Sequence, residues 1–164
     1  MVQLSIDATS EKQEASLYQN DQKTWDSTKT LIYQARVSFP TLPAVASTYA
    51  VWGLWSSWVD GPLSNTQYIG FGLNGSGELY MYSFDGTTTK AVDTGIALVA
   101  NTYYQFRIEI DQSGVLHFFV NGTEYTTSVS PVVWGAGTVI LPQVAQCQAG
   151  IRWPHQSWRL MHQS

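Results

Sequence analysis

Along most of the chain, apolar and polar positions alternate with a period of two. Leu31, Tyr33, Ala35, Val37 and Phe39 alternate with Ile32, Gln34, Arg36 and Ser38, which predicts a half-buried strand ended by Pro40 and Pro43. A second strand is expected over Tyr49–Trp55, and a long loop over Ser56–Gln67, where Trp58, Asp60, Gly61, Pro62 and Asn65 break the pattern. Tyr68–Leu73 and Glu78–Phe84 flank Asn74-Gly75-Ser76-Gly77, a hairpin signal, with Asp85-Gly86 as the next turn. Within this hairpin Tyr80, Tyr82 and Phe84 share one face, and their hydrophobicity assigns that face to the core. Thr138–Val144, Gln148–Trp153 and Ser157–Leu160 read as late strands, with Pro142 and Pro154 marking edges or bulges.

The stretch from Tyr104 to Val120 is the most constrained, because turn chemistry and burial pattern can be tested against each other. A loop of Gln112-Ser113-Gly114, with Gly114 left-handed, sets Asp111 against Val115, Ile110 against Leu116, Ile108 against Phe118 and Phe106 against Val120. One face is then Tyr104, Phe106, Ile108, Ile110, Leu116, Phe118 and Val120. The other carries Arg107, Glu109, Asp111, His117 and Phe119. A slip of one residue would drive Leu116 and Phe118 onto the charged side, so burial fixes the register. With ten to twelve short strands and no strand–helix alternation, the expected fold is all-β: an antiparallel two-sheet jelly-roll sandwich spanning residues 28–164.

Residues 1–27 differ. Val2, Leu4 and Ile6 alternate with Gln3 and Ser5, a terminal strand that either pairs within its own sheet or extends as an arm onto a partner. The polar stretch 7–23 has room for one short helix at most. Charged residues are only 12% of the 164, about half the usual share, while aromatic residues reach 13% and the net charge is −4. So few charges leave apolar and aromatic groups at the surface, which favours self-association. An acidic balance with no Lys/Arg cluster argues against nucleic acid and against anionic membranes. Met1 runs into Val-Gln-Leu-Ser-Ile without a basic or apolar leader, so synthesis and retention in a cytoplasm are expected. With one cysteine, Cys147, no intrachain disulfide forms. Asn74-Gly75-Ser76 and Asn121-Gly122-Thr123 fit the glycosylation sequon but read as turns.

The run from Asn101 to Gly122, an aromatic strand ending Ile108-Glu109-Ile110-Asp111 and a return strand ending Phe119-Val120-Asn121-Gly122, resembles the central hairpin of the concanavalin A-like lectin/glucanase superfamily, including its laminin-G-like branch. Tyr68-Ile69-Gly70-Phe71-Gly72-Leu73, Glu78-Leu79-Tyr80-Met81-Tyr82 and Ser157-Trp158-Arg159-Leu160 look like neighbouring strands of that fold, so the likeness covers about residues 28–160. Similar sandwiches recur as small proteins of tailed-phage virions. The resemblance therefore implies a non-enzymatic virion structural protein, a capsid decoration or tail-associated part. Its expected partners are other virion proteins, and its expected assembly is a homo-oligomer, for which a trimer matches the local symmetry of phage shells. The alternative is a carbohydrate-binding or receptor-binding module that recognises a cell-surface glycan. No cofactor is expected.

Four groups of residues carry the candidate chemistry. Glu109-Ile110-Asp111 matches half of the Glu-x-Asp-x-x-Glu signature of the superfamily's retaining glucanases, whose carboxylates stand about 5 Å apart. Gly114 stands where the closing glutamate would be. Asp111 is expected to cap its turn, and Glu109 faces His117 across the strands as a conceivable acid–base couple. For a metal, Asp60, Asn65 and Asp85 are loop oxygen donors without calcium-loop spacing, and His117, His155 and His162 lack a zinc pattern. Trp52 and Trp55 should point to opposite faces of one strand. The platform expected for a sugar ring or a protein partner is Trp55, Trp58 and Tyr68, with Asp60, Asn65 and Gln67 bonding hydroxyls.

Overall fold

A computed structural model describes residues 2–6, 13–18, 25–26, 30–44, 48–57, 62–64, 67–125, 139–148 and 156–161. They form strands β1 (Val2–Ile6), β2 (Gln13–Tyr18), β3 (Trp25–Asp26), β4 (Leu31–Ser38), β5 (Thr48–Trp55), β6 (Tyr68–Leu73) and β7 (Glu78–Phe84), with a 3₁₀ turn at Pro62–Ser64 between β5 and β6. Then follow β8 (Thr89–Ala97), β9 (Tyr103–Ile110), β10 (Leu116–Val120), β11 (Thr123–Glu124), β12 (Val139–Gln148) and β13 (Gln156–Met161). No helix among these residues is long and apolar enough to cross a membrane.

Two antiparallel sheets result. The smaller runs β1-β13-β4-β9-β10-β11; the larger runs β2-β12-β5-β6-β7-β8, with β3 also on β12. This is the jelly-roll sandwich that the alternating pattern predicts. Between the sheets, Trp52 and Phe71 of the larger meet Phe106 and Phe118 of the smaller. Trp52 and Phe106 centroids lie 4.8 Å apart, Phe71 and Phe106 4.9 Å, and Phe71 and Phe118 5.3 Å in edge-to-face contact. Around them Ile69, Leu73, Leu79, Ile108 and Ile110 are wholly buried.

The β9–β10 pairing is the one expected, with Ile110 opposite Leu116, Ile108 opposite Phe118 and Phe106 opposite Val120. Its turn repeats, atom for atom, the turn between β6 and β7. Asp111 Oδ1 accepts from the amides of Ser113 and Val115, as Asn74 Oδ1 accepts from those of Ser76 and Glu78. In both, a left-handed glycine follows three positions on, Gly114 at φ 80° and Gly77 at φ 75°. A short acceptor side chain and a glycine at that spacing close a three-residue turn.

Several expectations change. Gln13–Tyr18, read as polar with room for a short helix, is an edge strand on β12, from Tyr18 opposite Gln143 to Gln13 opposite Gln148; main-chain pairing supplies what its side-chain pattern does not signal. Val2–Ile6 pairs with Gln156–Leu160 of its own chain. The late strand expected over Thr138–Val144 runs on to Gln148, and the one expected over Gln148–Trp153 lies outside the described residues beyond Gln148. Pro142 lies within β12 at a local edge, paired with Leu54 of β5 on one side and falling between the stretches paired with β3 and with β2 on the other, where a missing N–H interrupts no second ladder. Pro154 falls outside the described residues.

Candidate functional site

Alternation along β5 sends Ala50, Trp52 and Leu54 into the inter-sheet core and Val51 and Trp55 to the opposite, outer face of the larger sheet. Trp52 and Trp55 thus point to opposite faces, as expected. The same outer face receives Tyr68, Gly70 and Gly72 from β6 and Tyr80, Tyr82 and Phe84 from β7. Their cross-strand rows are Trp55–Tyr68–Phe84, Gly53–Gly70–Tyr82 and Val51–Gly72–Tyr80. Tyr80, Tyr82 and Phe84 therefore do not fill the inter-sheet core, a correction to the sequence reading; Leu79, Met81 and Ser83 do. Both sets are compatible with burial by composition, and the β6–β7 turn decides between them by setting Leu73 opposite Leu79 and Phe71 opposite Met81.

Glycines make this face flat. A Cβ on Gly70 would lie 3.2 Å from the Trp55 ring, and one on Gly72 2.6 Å from the Tyr82 ring. The rings occupy the space a side chain would take. Trp55 and Tyr68 stack with centroids 6.2 Å apart at 25°, Tyr68 and Phe84 lie at 5.7 Å, and Tyr80 and Tyr82 stack at 5.8 Å and 28°. Val51, Trp55 and Tyr68 form a buried second cluster, against which Tyr49, Leu63, Tyr82 and Phe84 pack half-buried. Leu63 belongs to the 3₁₀ turn, so the β5–β6 loop folds back onto one end of the strip. The other end, Tyr80 with Tyr82, is not part of the buried cluster's interior.

Of the six residues expected in a contact platform, Trp55 and Tyr68 are brought together, but as the buried floor of the strip: Trp55 is 1% exposed and Tyr68 4%. Gln67 ties the end of the long loop to the next turn, its Nε2 donating to Asp85 O at 3.0 Å. Trp58, Asp60 and Asn65 lie outside the described residues. What the sequence reading missed as surface is the Tyr80–Tyr82–Phe84 ridge.

The ionisable groups of this face are tyrosines and two carboxylates. Burial pushes Tyr82 up to about 12, with Tyr80 and Tyr68 adding to the shift. Burial also raises Tyr68 against a lowering hydrogen bond from Thr89, and Tyr80 is raised by desolvation and then by the Glu78 and Asp93 carboxylates. Glu78 Oε2 accepts from Asn74 Nδ2 at 2.7 Å and from the Tyr80 hydroxyl at 3.4 Å. Asp93 stands opposite Tyr80 on β8.

The carboxylates singled out for catalysis are elsewhere. Glu109 sits on the outer face of the smaller sheet, 3.2 Å from Arg107, whose guanidinium lies 4.0 Å over the Phe119 ring. His117 is Glu109's cross-strand neighbour by register, yet its Nδ1 lies 2.7 Å from Glu124 and its Nε2 3.6 Å from Asp111. The Glu109–His117 couple is thus replaced by two separate pairs, because each partner finds a closer opposite charge. Asp111 spends one oxygen on its turn, and the Val115 and Ser113 amides hold its carboxyl below the usual range. Among the described residues no three His, Cys, Asp or Glu converge as a metal site needs; Asp85 caps the amides of Thr87 and Thr88.

No family model matches the sequence, and no curated protein matches it. Solved structures do match the fold. A glycoside hydrolase family 16 endo-glucanase from Bacteroides ovatus superposes with a TM-score of 0.62 at 6% identity, covering 97% of this chain and 80% of that one. The carbohydrate binding module CBM66 from Bacillus subtilis gives 0.51 at 9% identity, over 88% of this chain and 81% of the module. A sialidase gives 0.56 at 8% identity over 96% of this chain, which spans only 14% of the sialidase. The fold is a concanavalin A-like, lectin-like β-sandwich; identities this low carry nothing finer.

Proposed function

We propose that this chain is a non-catalytic, lectin-like module that binds glycan on the aromatic outer face of the larger sheet. The observation that carries the reading is the strip from Trp55 through Tyr68 and Phe84 to Tyr82 and Tyr80, laid flat over Gly70 and Gly72. A pyranose ring presents a C–H face that packs on such rings, while hydroxyls at its edge reach the tyrosine O–H groups and the carboxylates of Glu78 and Asp93. Carbohydrate-binding and glycan-active proteins among the similar folds support the reading. A non-catalytic role is supported by the pairing of Glu109 with Arg107, the turn function of Asp111, and the position of both on the other sheet.

Affinity electrophoresis through polysaccharide gels is the test. Wild type is retarded and leaves chain length unchanged, and Tyr80→Ala removes most of the retardation at an unchanged melting temperature. Free migration of the wild type in every glycan would end the proposal.

A second reading is the virion attachment role that composition favours, with a homo-oligomer docking on capsid or tail through protein surface. Ile32 and Val99, each 60% exposed, and Val115 at 41% support it. Sedimentation of the isolated protein separates the two: a monomer with no affinity for assembled shells removes the attachment reading.

A further inference from the structure

Charge on the two sheets is segregated. Of the described basic side chains, Arg36 and Arg107 lie on the outer face of the smaller sheet, each over an aromatic ring, at 4.7 Å from Tyr103 and 4.0 Å from Phe119. Lys90 stands opposite Ser83, whose side chain is buried, and so falls in the inward phase of β8. Among the described residues, the outer face of the larger sheet carries no Lys or Arg. Among the residues whose side chains are described, its charges are the carboxylates Glu78 on β7 and Asp93 on β8, which flank Tyr80. The tyrosines between them stay neutral, since every resolved shift on this face is upward.

A surface of this kind discriminates. Uronate and sialic-acid chains carry a carboxylate on each charged sugar and would meet Glu78 and Asp93 with no cation among the described residues to offset the repulsion. A neutral chain meets only acceptors for its hydroxyls and flat rings for its C–H faces. Resting on the glycan reading above, we infer that the ligand class of this face is an uncharged polysaccharide and that Glu78 and Asp93 are specificity residues which reject anionic glycans.

Direction also follows. Tyr80, Tyr82 and Phe84 succeed one another at every second residue of β7, so their backbone positions are about 6.5–7 Å apart along the strand, and the Tyr80 and Tyr82 ring centroids are 5.8 Å apart. A linear chain lying along β7 can place successive sugars over successive rings, and a lone monosaccharide can engage only one.

The experiment is isothermal titration of the full chain with neutral glucan, xylan and mannan oligosaccharides, and with oligo-alginate, oligogalacturonate and oligosialic acid, at low and at physiological salt. Wild type is expected to bind at least one neutral chain, more tightly as the oligomer lengthens from one to three sugars, and no anionic one. Tyr80→Ala weakens that binding about tenfold. The pair E78Q/D93N weakens neutral binding, since both carboxylates accept sugar hydroxyls, yet admits anionic chains, so that the ratio of anionic to neutral affinity rises at least about fivefold at low salt and the rise shrinks as salt screens the charges. Wild-type binding of anionic chains that equals or exceeds neutral binding, and is lost in Tyr80→Ala, overturns this inference and leaves the glycan reading standing. Absence of binding to either class, or self-association abolished by Tyr80→Ala in sedimentation, overturns both.

Discussion

The two outer faces of the sandwich are built on the same alternation and come out opposite in character. On the smaller sheet the outward positions of β4, β9 and β10 form rows Ile32–Glu109–His117 and Gln34–Arg107–Phe119. Long side chains there stand up, and Arg107 and Arg36 each cover an aromatic ring, Phe119 and Tyr103. On the larger sheet the outward positions of β5, β6 and β7 are, Val51 and Glu78 apart, glycines and rings, and the Trp55 and Tyr82 rings cover Gly70 and Gly72. A glycine next to an aromatic residue across a strand pair thus converts a sheet surface from a solvated one into a half-buried platform. The consequence is energetic as well as functional: the larger sheet has a second apolar cluster outside the core, and the smaller sheet has none among its described residues.

That difference is broken most severely at Trp55. Though on an outer face, its indole is as buried as core residues are, so Trp55→Ala should destabilise by about 3–4 kcal/mol. Phe119→Ala, at a half-buried ring covered by one guanidinium on the other face, should cost about 1 kcal/mol. Urea denaturation with tryptophan fluorescence measures both. Equal losses would mean that the strip is ordinary surface.

A smaller effect sharpens the role of the glycine floor. The Cβ of Gly70→Ala would sit 2.7 Å from the Trp52 carbonyl oxygen, a backbone atom that cannot swing away, as well as against the Trp55 ring. The expected cost is about 2 kcal/mol with a changed near-UV dichroism as the rings lift. Gln105→Ala, at an exposed outward position of the smaller sheet, should change stability by no more than about 0.5 kcal/mol. Gly70→Ala at wild-type stability would remove the flat-floor account.

How much of this was readable from residues alone follows the same division. The β9–β10 hairpin was legible in full because its two faces differ: Arg107, Glu109 and His117 cannot exchange places with Phe106, Ile108 and Phe118. On β7 both faces are apolar, and the more aromatic one is the outer one, so hydrophobicity pointed the wrong way. Only the register set by the Asn74 turn corrects it. Gln13–Tyr18 was illegible for another reason, since an edge strand held by main-chain bonds to β12 needs no side-chain periodicity. Trp55 and Tyr68 were identified as partners, but their burial depends on Leu63, which arrives from a loop whose path no period encodes.

The smallest expected effect is a dependence on pH that centres on His117 and Asp111 of the smaller sheet. Hydrogen bonding to Glu124 is the main cause that raises His117, with Asp111 contributing. A raised histidine stabilises the folded chain fully below the ordinary histidine value near 6.5, and the contribution fades as pH rises through the higher folded value. Asp111 has the opposite sign. The Val115 amide, followed by that of Ser113, lowers its carboxyl, so its contribution is complete above the ordinary value near 3.8 and fades as pH falls through the lower folded one. The end of the β9–β10 hairpin is therefore best held between about pH 4 and 6.5. The tyrosines of the aromatic face stay neutral through that window, because burial raises them above their usual range. Urea midpoints taken from pH 5 to pH 9 should fall slightly for wild type and stay flat for Glu124→Gln, while the His117 ring protons titrate above the usual value in the first and near it in the second. A wild-type slope that survives Glu124→Gln unchanged would show that the His117–Glu124 contact contributes nothing, and would leave the turn amides of Asp111 as the one charge-sensitive support of that hairpin end.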